Sequence, residues 1–472
     1  MDVMARQGVQ FVTSVILARL LAPSDFGIIA LVSFFSSLAQ VLLQGGLSTA
    51  LVQRHDTTRA EESAAFWVNL IGSVALACVL IGGAPAIAAF YQQPVLLPLM
   101  LVAGAQVVLT SAGAVHAALL SRELAFRALA KVGIASSLLS GAVGLGAAIS
   151  GAGVWALAAQ GTVAAAAYSA GLWLVSDWRP TLRFRISELR RLFGFGAWLS
   201  VASILDVVYT QGFSLLVGKL HGVRELGLYN RASSTQLLPS TVFSLIISRV
   251  ALPLFVPRVD DRDATQRGMR MAIGFAMLIN VPVMVGLAVI PHTIIEVLFG
   301  KQWIPAAPIL GILAIGGLFY PMHVINLHVL LAQGDSQKFL RIEIAKKAVG
   351  IVLVVIGSIF GIYGLAWSQV LASAVSLLFN AGANSRSLQY GPGRQLADLA
   401  GVFCCSAAMG AVTWVASRYL LLAPLAEVAV IVPISAATYF GCGFVLRIRS
   451  FIEAWSVVMI LLKGRGSQPA AA

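Results

Sequence analysis

Charge is scarce in this chain. Only 11% of its 472 residues are Asp, Glu, Lys or Arg, and just 19 are acidic. Soluble domains carry roughly a quarter charged and about half apolar residues. Here 59% are hydrophobic and the mean hydropathy is +0.89. No water-soluble interior hides that much apolar surface, so the bilayer is the expected solvent. Cysteine is scarcer still. Cys78, Cys404, Cys405 and Cys442 all fall in apolar stretches without metal-ligand spacing, which excludes a cysteine metal centre and reads as small packing residues. No phosphate-binding glycine loop with its lysine and hydroxyl occurs, so nucleotide hydrolysis is excluded. The loops are too short to hold the acids and bases of a membrane glycosyltransferase or polymerase. The chain therefore reads as a protein that is not an enzyme, with no cofactor and no metal.

What is present is a series of apolar runs. A helix crossing the hydrocarbon needs about 20 such residues. The first half gives spans at Val3–Leu20, Phe26–Gly45, Ala64–Ala86, Val95–Leu119, Val132–Ile149 and Val154–Val175. A charged linker, Asp177 to Arg191, separates them from Phe195–Val217, Thr235–Val256, Met271–Ile290, Ile304–Leu331, Ala348–Phe360 and Leu365–Ala383. Leu396–Ala416 and Leu425–Leu446 bring the expectation to about fourteen. The eleventh span is short unless Lys346 and Lys347 reach toward the surface. The first run flows directly into Arg19 and a second span, so no cleavable signal is expected.

The formal net charge is +13. In a soluble chain that would suggest nucleic acid; the placement of the charges argues otherwise. Of 32 Lys and Arg residues, only Arg19, Lys219, Arg224, Arg231, Lys301 and Arg418 fall on one side of the expected spans. The remainder fall on the other, which the positive-inside rule makes cytoplasmic, along with both termini. The linker cations Arg179–Arg191 are then a solvated stretch touching anionic lipid head groups. The apolar tail Phe451–Leu462, with Trp455, lies along the interface or packs as a terminal helix. The longest outer loops are Lys219–Arg231 and Pro291–Pro305.

The chain also repeats itself at an offset of about two hundred residues, a pattern typical of transporters. Arg19-Leu20 and Phe26-Gly27 read over Lys219-Leu220 and Leu226-Gly227, and Ala50-Leu51 over Ala251-Leu252. Gly153-Val154-Trp155-Ala156-Leu157 reads over Gly361-Ile362-Tyr363-Gly364-Leu365, and Lys131-Val132-Gly133 over Lys347-Ala348-Val349-Gly350. The expected fold is an all-α polytopic membrane protein, with two six-helix lobes related as parallel repeats plus two C-terminal helices. The expected divisions are a first lobe at 1–176, a cytoplasmic basic linker at 177–192, a second lobe at 193–384, a two-helix hairpin at 385–446 and a cytoplasmic tail at 447–472.

Ionisable and polar groups within the spans mark candidate sites. Asp206 is the deepest acid, about eleven residues into the seventh span, and a charge there is costly to insert. Arg19 and Lys219 end the first and seventh spans at equivalent positions. Facing a common cavity, they would neutralise a phosphate or pyrophosphate, Arg in a fork and Lys as a point charge. Otherwise both reach to the interface. Gln44, Asn69, His116, Gln211 and Arg231 complete the candidate set. Amides within spans also serve as helix glue, and that reading stands beside the cavity one.

The segment from Leu17 to Gly27, with its Ala22-Pro23-Ser24-Asp25 turn, resembles the opening signature of polysaccharide flippases in the multidrug/oligosaccharidyl-lipid/polysaccharide exporter superfamily. So do Gly151-Ala152-Gly153-Val154-Trp155-Ala156-Leu157, Gly227-Leu228-Tyr229-Asn230-Arg231-Ala232, Phe299-Gly300-Lys301-Gln302-Trp303 and Leu331-Ala332-Gln333-Gly334-Asp335. Within that superfamily the chain is most similar to translocases of the lipopolysaccharide, exopolysaccharide and colanic-acid type. The resemblance implies two six-helix lobes opening alternately to either face of the bacterial cytoplasmic membrane. Its implied cargo is an undecaprenyl-pyrophosphate-linked oligosaccharide. Membrane lipids, a polysaccharide polymerase and a chain-length regulator are the implied partners, without nucleic acid. Arg19 falls where related peptidoglycan-precursor flippases keep a cavity arginine. Many relatives carry an acid shortly before the Gly-Lys/Arg-Leu step, where this chain has Gln211-Gly212-Phe213, so any H+ or Na+ coupling through Asp206 stays open. The alternatives are a peptidoglycan-precursor flippase and a drug/cation antiporter of the same superfamily.

Overall fold

A computed structural model describes residues 2–53, 57–181, 186–255, 261–333, 336–420, 422–448 and 451. Among them every regular element is a helix, without strands. Nine stretches of these residues are long and apolar enough to cross a membrane, so the chain is a multi-pass membrane protein. It forms two compact units, 1–230 and 231–472.

The first unit contains α1 (Asp2–Leu20), α2 (Pro23–Gln53), α3 (Arg59–Tyr91), α4 (Leu96–Arg122), α5 (Phe126–Ile149), α6 (Val154–Val175), α7 (Ile186–His221) and the first turns of α8 (Val223–Phe255). Helix starts carry local signals. Thr58 caps α3 by accepting from the Glu61 N–H at 3.2 Å, while Glu61 accepts from the Thr58 N–H at 2.8 Å. Helix α5 is narrow where it meets its neighbours. A side chain at Gly141 would meet Thr13 of α1 at 2.9 Å, and one at Gly144 would meet Gln160 of α6 at the same distance. Small residues let backbones approach where lipid supplies no hydrophobic drive. Helix α7 packs on α2 and α3, which is why the first compact unit extends beyond the linker.

The second unit holds the rest of α8, then α9 (Arg262–Val289), α10 (Pro291–Phe299), a 3-10 turn (Lys301–Ala306), α11 (Ala307–Gly317), α12 (Tyr320–Ala332), α13 (Ser336–Ile359), α14 (Gly361–Leu388), α15 (Pro392–Tyr419) and α16 (Pro424–Val445). Its core brings Met269, Ile273 and Met277 of α9 against Met322 and Ile325 of α12, Leu377 of α14 and Val402 and Cys405 of α15. The last two helices are thus built into this unit's core.

Several expectations change. Lys219–Arg231 is not an outer loop: α7 runs to His221, Gly222 turns the chain at φ 88°, and α8 begins at Val223. The charges there interrupt the hydropathy but not the helix. Pro291–Pro305 is likewise helical, a proline-started α10 joined to the 3-10 turn through Gly300 at φ 93°. Lys338, Arg341, Lys346 and Lys347 lie on α13 rather than in a loop. Helix α13 continues through these charges: Lys346, 12% exposed, pairs with Glu343 and donates to Asn380 Oδ1 at 3.1 Å. The tail beyond Phe451 lies outside the described residues.

The tenth span is broken. Pro321 lacks an N–H and its ring disfavours the preceding helical turn, so carbonyls near Gly317 lose their ladder partner. Asn280 of α9, fully buried, donates to the Gly317 and Leu318 carbonyls at 3.0 and 3.2 Å, while its Oδ1 accepts from Ser240 at 3.0 Å. Replacing Asn280 with Ala is expected to destabilise the protein by about 1–3 kcal/mol, the cost of orphaning buried carbonyls. Thermal unfolding in detergent or nanodiscs measures it.

Candidate functional site

The repeat seen in the sequence has a structural centre in the first unit. Helices α2 and α8 begin at Pro23 and Val223, two hundred positions apart, and cross at their equivalent glycines. A Cβ on Gly27 would lie 1.7 Å from the Val223 carbonyl oxygen. One on Gly227 would lie 1.8 Å from the Pro23 carbonyl oxygen. The contact is reciprocal, and only hydrogen fits at either position. Each helix also carries an acid at its third residue. Asp25 accepts from the Ala22 N–H at 3.0 Å, and Glu225 lies 3.5 Å from Arg224. Negative charge at a helix N-terminus is favourable. Extending the Phe26-Gly27 match one residue backward brings this acid pair into the repeat.

At the same end of this unit stand the two repeat-related cations. Arg19 is exposed in the last turn of α1, flanked by the buried Leu17, Ala18 and Leu21. Lys219, also exposed, ends α7 and turns onto α3: its Nζ donates to the Phe90 carbonyl at 2.6 Å and lies 4.2 Å from the Phe90 ring centroid. A cation on the closing carbonyls of a helix opposes the negative end of its dipole. The structure therefore gives Lys219 a capping role on α3.

Farther along the helices, Asn69 and His116 are both fully buried, on α3 and α4. The His116 ring lies 4.5 Å from that of Trp173, 5.1 Å from Trp178 and 6.2 Å from Phe66. Trp178 belongs to the segment after α6, which Thr181 fastens to α3. The Thr181 N–H donates to Ser63 Oγ at 3.1 Å, and its carbonyl accepts from Trp67 Nε1 at 2.9 Å. Asp206 and Gln211 lie on α7, Asp206 exposed and Gln211 half-buried; the Asp206 carbonyl accepts from Thr210 Oγ1 at 2.7 Å. Gln44 falls on α2, with its side chain outside the described residues.

Arg231 opens the second unit and is only 8% exposed. Its guanidinium lies 4.8 Å from the centroid of Phe299 and 5.3 Å from that of Trp303, rings that are themselves buried. Two of the quoted motifs thus meet: Asn230-Arg231 supplies the cation and Phe299-Gly300-Lys301-Gln302-Trp303 the aromatic cage. Desolvated cation–π contacts of this kind are worth about 2 kcal/mol or more. In this conformation Arg231 fastens α8 to the 291–306 segment rather than presenting its charge to solvent. The matched glycines of the sixth spans have a simpler basis. Gly153 (φ 57°) and Gly361 (φ 74°) each supply the left-handed residue that turns the chain into α6 and α14.

Sequence reasoning missed an amide network in the second unit. Asn326 and Gln395, both fully buried, bond reciprocally at 2.9 and 3.0 Å, and Asn384 donates to Asn326 Oδ1 at 3.1 Å. Arg270 and Tyr390 both reach Asp398, tying α9 to α15. Only the spacing of amides in apolar runs hints at it, and that cannot say which helices meet.

Residues 16–308 match a family model described as polysaccharide biosynthesis protein, and residues 225–432 match one described as lipid II flippase MurJ. Relatives include the teichuronic acid biosynthesis protein TuaB of Bacillus subtilis, 29% identical over 63% of this chain and 62% of its own length. The succinoglycan biosynthesis transport protein ExoT of Rhizobium meliloti is 28% identical over 66% and 64%. The chain thus spans just under two thirds of the length of these two relatives. The lipopolysaccharide biosynthesis protein WzxC of Escherichia coli is 23% identical over 79% and 76%. Among solved structures, lipid II flippase MurJ in an inward closed conformation is similar with a TM-score of 0.76 at 15% identity, over 94% of this chain and 97% of that one. An inward-facing multidrug resistance MATE family transporter gives 0.62 at 16%, over 84% and 98%. At these identities the structural likeness establishes the fold.

Proposed function

Since the chain belongs to the polysaccharide biosynthesis protein family, we propose that it carries lipid-linked oligosaccharide repeat units across the bacterial cytoplasmic membrane, for exopolysaccharide or lipopolysaccharide synthesis. The observation that carries this reading is the family match over residues 16–308, joined by relatives named for succinoglycan transport and lipopolysaccharide biosynthesis. An undecaprenyl-pyrophosphate carrier has a charged, hydroxyl-rich head that cannot cross hydrocarbon unaided, since each unpaired polar group costs several kcal/mol. A protein route that keeps the head hydrated and the polyprenyl tail in lipid removes that cost. Arg19 is the group we assign to the pyrophosphate, because its fork geometry suits adjacent phosphate oxygens and its side chain is accessible. Lys219 supports it indirectly, by holding the end of α3. On this reading the protein is a transporter with no chemical step of its own, both termini are cytoplasmic, and it hands its cargo to a polymerase and a chain-length regulator.

A peptidoglycan-precursor flippase is the second reading, favoured by the match of residues 225–432 to the lipid II flippase model. A strain lacking the protein decides between them. Cytoplasmic-leaflet accumulation of lipid-linked oligosaccharide with intact cell-wall synthesis supports the first, and cell-wall arrest supports the second. Altered drug susceptibility alone would point to efflux and overturn both. Coupling is tested on the purified protein in vesicles. Asp206→Asn is expected to remove the dependence of flipping on an imposed proton or sodium gradient, and an unchanged dependence takes Asp206 out of the mechanism.

A further inference from the structure

Helix α4 faces a polar side chain that it does not use. Asn69 of α3 is fully buried, and neither its Nδ2 nor its Oδ1 has a hydrogen-bond partner among the described residues; the same holds for Ser111 Oγ on α4. Two contacts fix the register of these antiparallel helices. A side chain at Gly104 would meet Ala77 at 3.2 Å, and the rings of Phe66 and His116 are 6.2 Å apart. Asn69 therefore sits level with the turn Ser111-Ala112-Gly113. Buried amides in folded proteins are almost always satisfied, and an unsatisfied one costs more than an apolar side chain of the same size. Packing alone would favour leucine at this position.

The turn opposite Asn69 is a weak piece of helix. Thr110 Oγ1 donates back to the Gln106 carbonyl at 2.8 Å, a bond that bends helices. Gly113 lowers helix propensity. Trp173 of α6 donates its Nε1–H to the Ala112 carbonyl at 2.9 Å, so a side chain already engages the backbone at mid-helix. The other half of the chain shows where such an arrangement leads. There the third span supplies Asn280 to the Gly317 and Leu318 carbonyls, and the sixth span supplies Ser373, which donates to the Gly316 carbonyl at 2.8 Å; between them the fourth span is broken into α11 and α12. In the first half the third span supplies Asn69 and the sixth supplies Trp173, yet the fourth span, α4, is continuous.

We propose that α4 has a second, bent conformation, opened at Ser111–Gly113, in which the Asn69 amide caps the carbonyls released, and that transport passes through it. The bend itself stands on the geometry above, while its place in transport rests on the flippase reading. The straight helix pays for an orphaned amide and the bent one for lost ladder bonds, which keeps the two within reach of each other.

Hydrogen exchange on the full chain in nanodiscs tests the bend without any substrate. In the wild type the amides of residues 112–117 are expected to exchange well ahead of those at mid-depth in α5. Asn69→Leu is expected to slow that exchange, to leave or raise the melting temperature, and to reduce flipping of a fluorescent polyprenyl-pyrophosphate saccharide by about tenfold, the shift set by one hydrogen bond's preference for the bent state. Ser111→Ala strengthens the same turn and is expected to act in the same direction, so the outcome does not hang on the folding of one variant. A wild-type α4 as protected as α5 overturns the proposal. So do variants with unchanged exchange, the behaviour of a static helix whose amide holds a buried water only. If wild-type protein exchanges as expected but moves no saccharide, the flippase reading fails and the bend stands.

Discussion

A single methyl group on Gly27 or on Gly227 is expected to cost this protein about 3 kcal/mol or more of stability, the upper end of what overpacking a tight contact produces. The new Cβ would fall 1.7 or 1.8 Å from a backbone carbonyl oxygen. No rotamer change relieves a clash with main chain, so α2 and α8 must separate. Gly212→Ala on α7 is the control. Nothing lies within 4 Å of a Cβ there, and alanine favours the helix by about 1 kcal/mol. Thermal denaturation of the three variants should drop the two crossing mutants well below wild type and leave or raise the control. A crossing mutant that melts like wild type would show that the helices do not meet as described.

Charge reversal at Arg19 is expected to abolish polysaccharide export while leaving the protein inserted at its normal abundance. A carboxylate facing pyrophosphate replaces an attractive fork with repulsion in a medium that screens poorly. Arg19→Lys should retain part of the activity, because the charge persists while the paired donors are lost. Lys219→Gln, by contrast, should act mainly on stability, since it removes a cap from α3. Polymer output from complemented deletion strains, read against membrane levels of each variant, separates the cases. Normal output from Arg19→Glu would remove this residue from substrate binding.

The positions of the spans were legible because hydropathy records which residues face lipid, and among the described residues each expected span but the tenth coincides with a single helix. The ends were less so. Charged residues such as Lys219, Glu225 and Lys346 read as loop, although helices continue through them wherever a partner satisfies the charge. Phe90 supplies that partner for Lys219, and Glu343 with Asn380 supplies it for Lys346. The break in the tenth span did have a signal, Gly316-Gly317 followed by Pro321. Its counterpart Asn280 did not, since a lone amide in an apolar run does not announce which carbonyl it serves. Among the candidate residues, spacing alone made Arg19 and Lys219 equivalent. The structure adds that Lys219 is turned onto the end of α3, which spacing could not show. Arg231 was legible as a motif residue, but its aromatic enclosure depends on a segment nearly seventy positions away.

The reciprocal bonds of Asn326, Asn384 and Gln395 bear on how this architecture can be shortened. The repeated part of the chain ends with α14, yet the partner that completes Asn326 sits on α15. A product ending before Pro392 would strip Asn326 of its two bonds to Gln395 and leave that amide incompletely satisfied beside hydrocarbon, a penalty no lipid can relieve. The closing hairpin is therefore part of what completes the polar interior of the second unit, and trimming it calls for apolar residues at those positions.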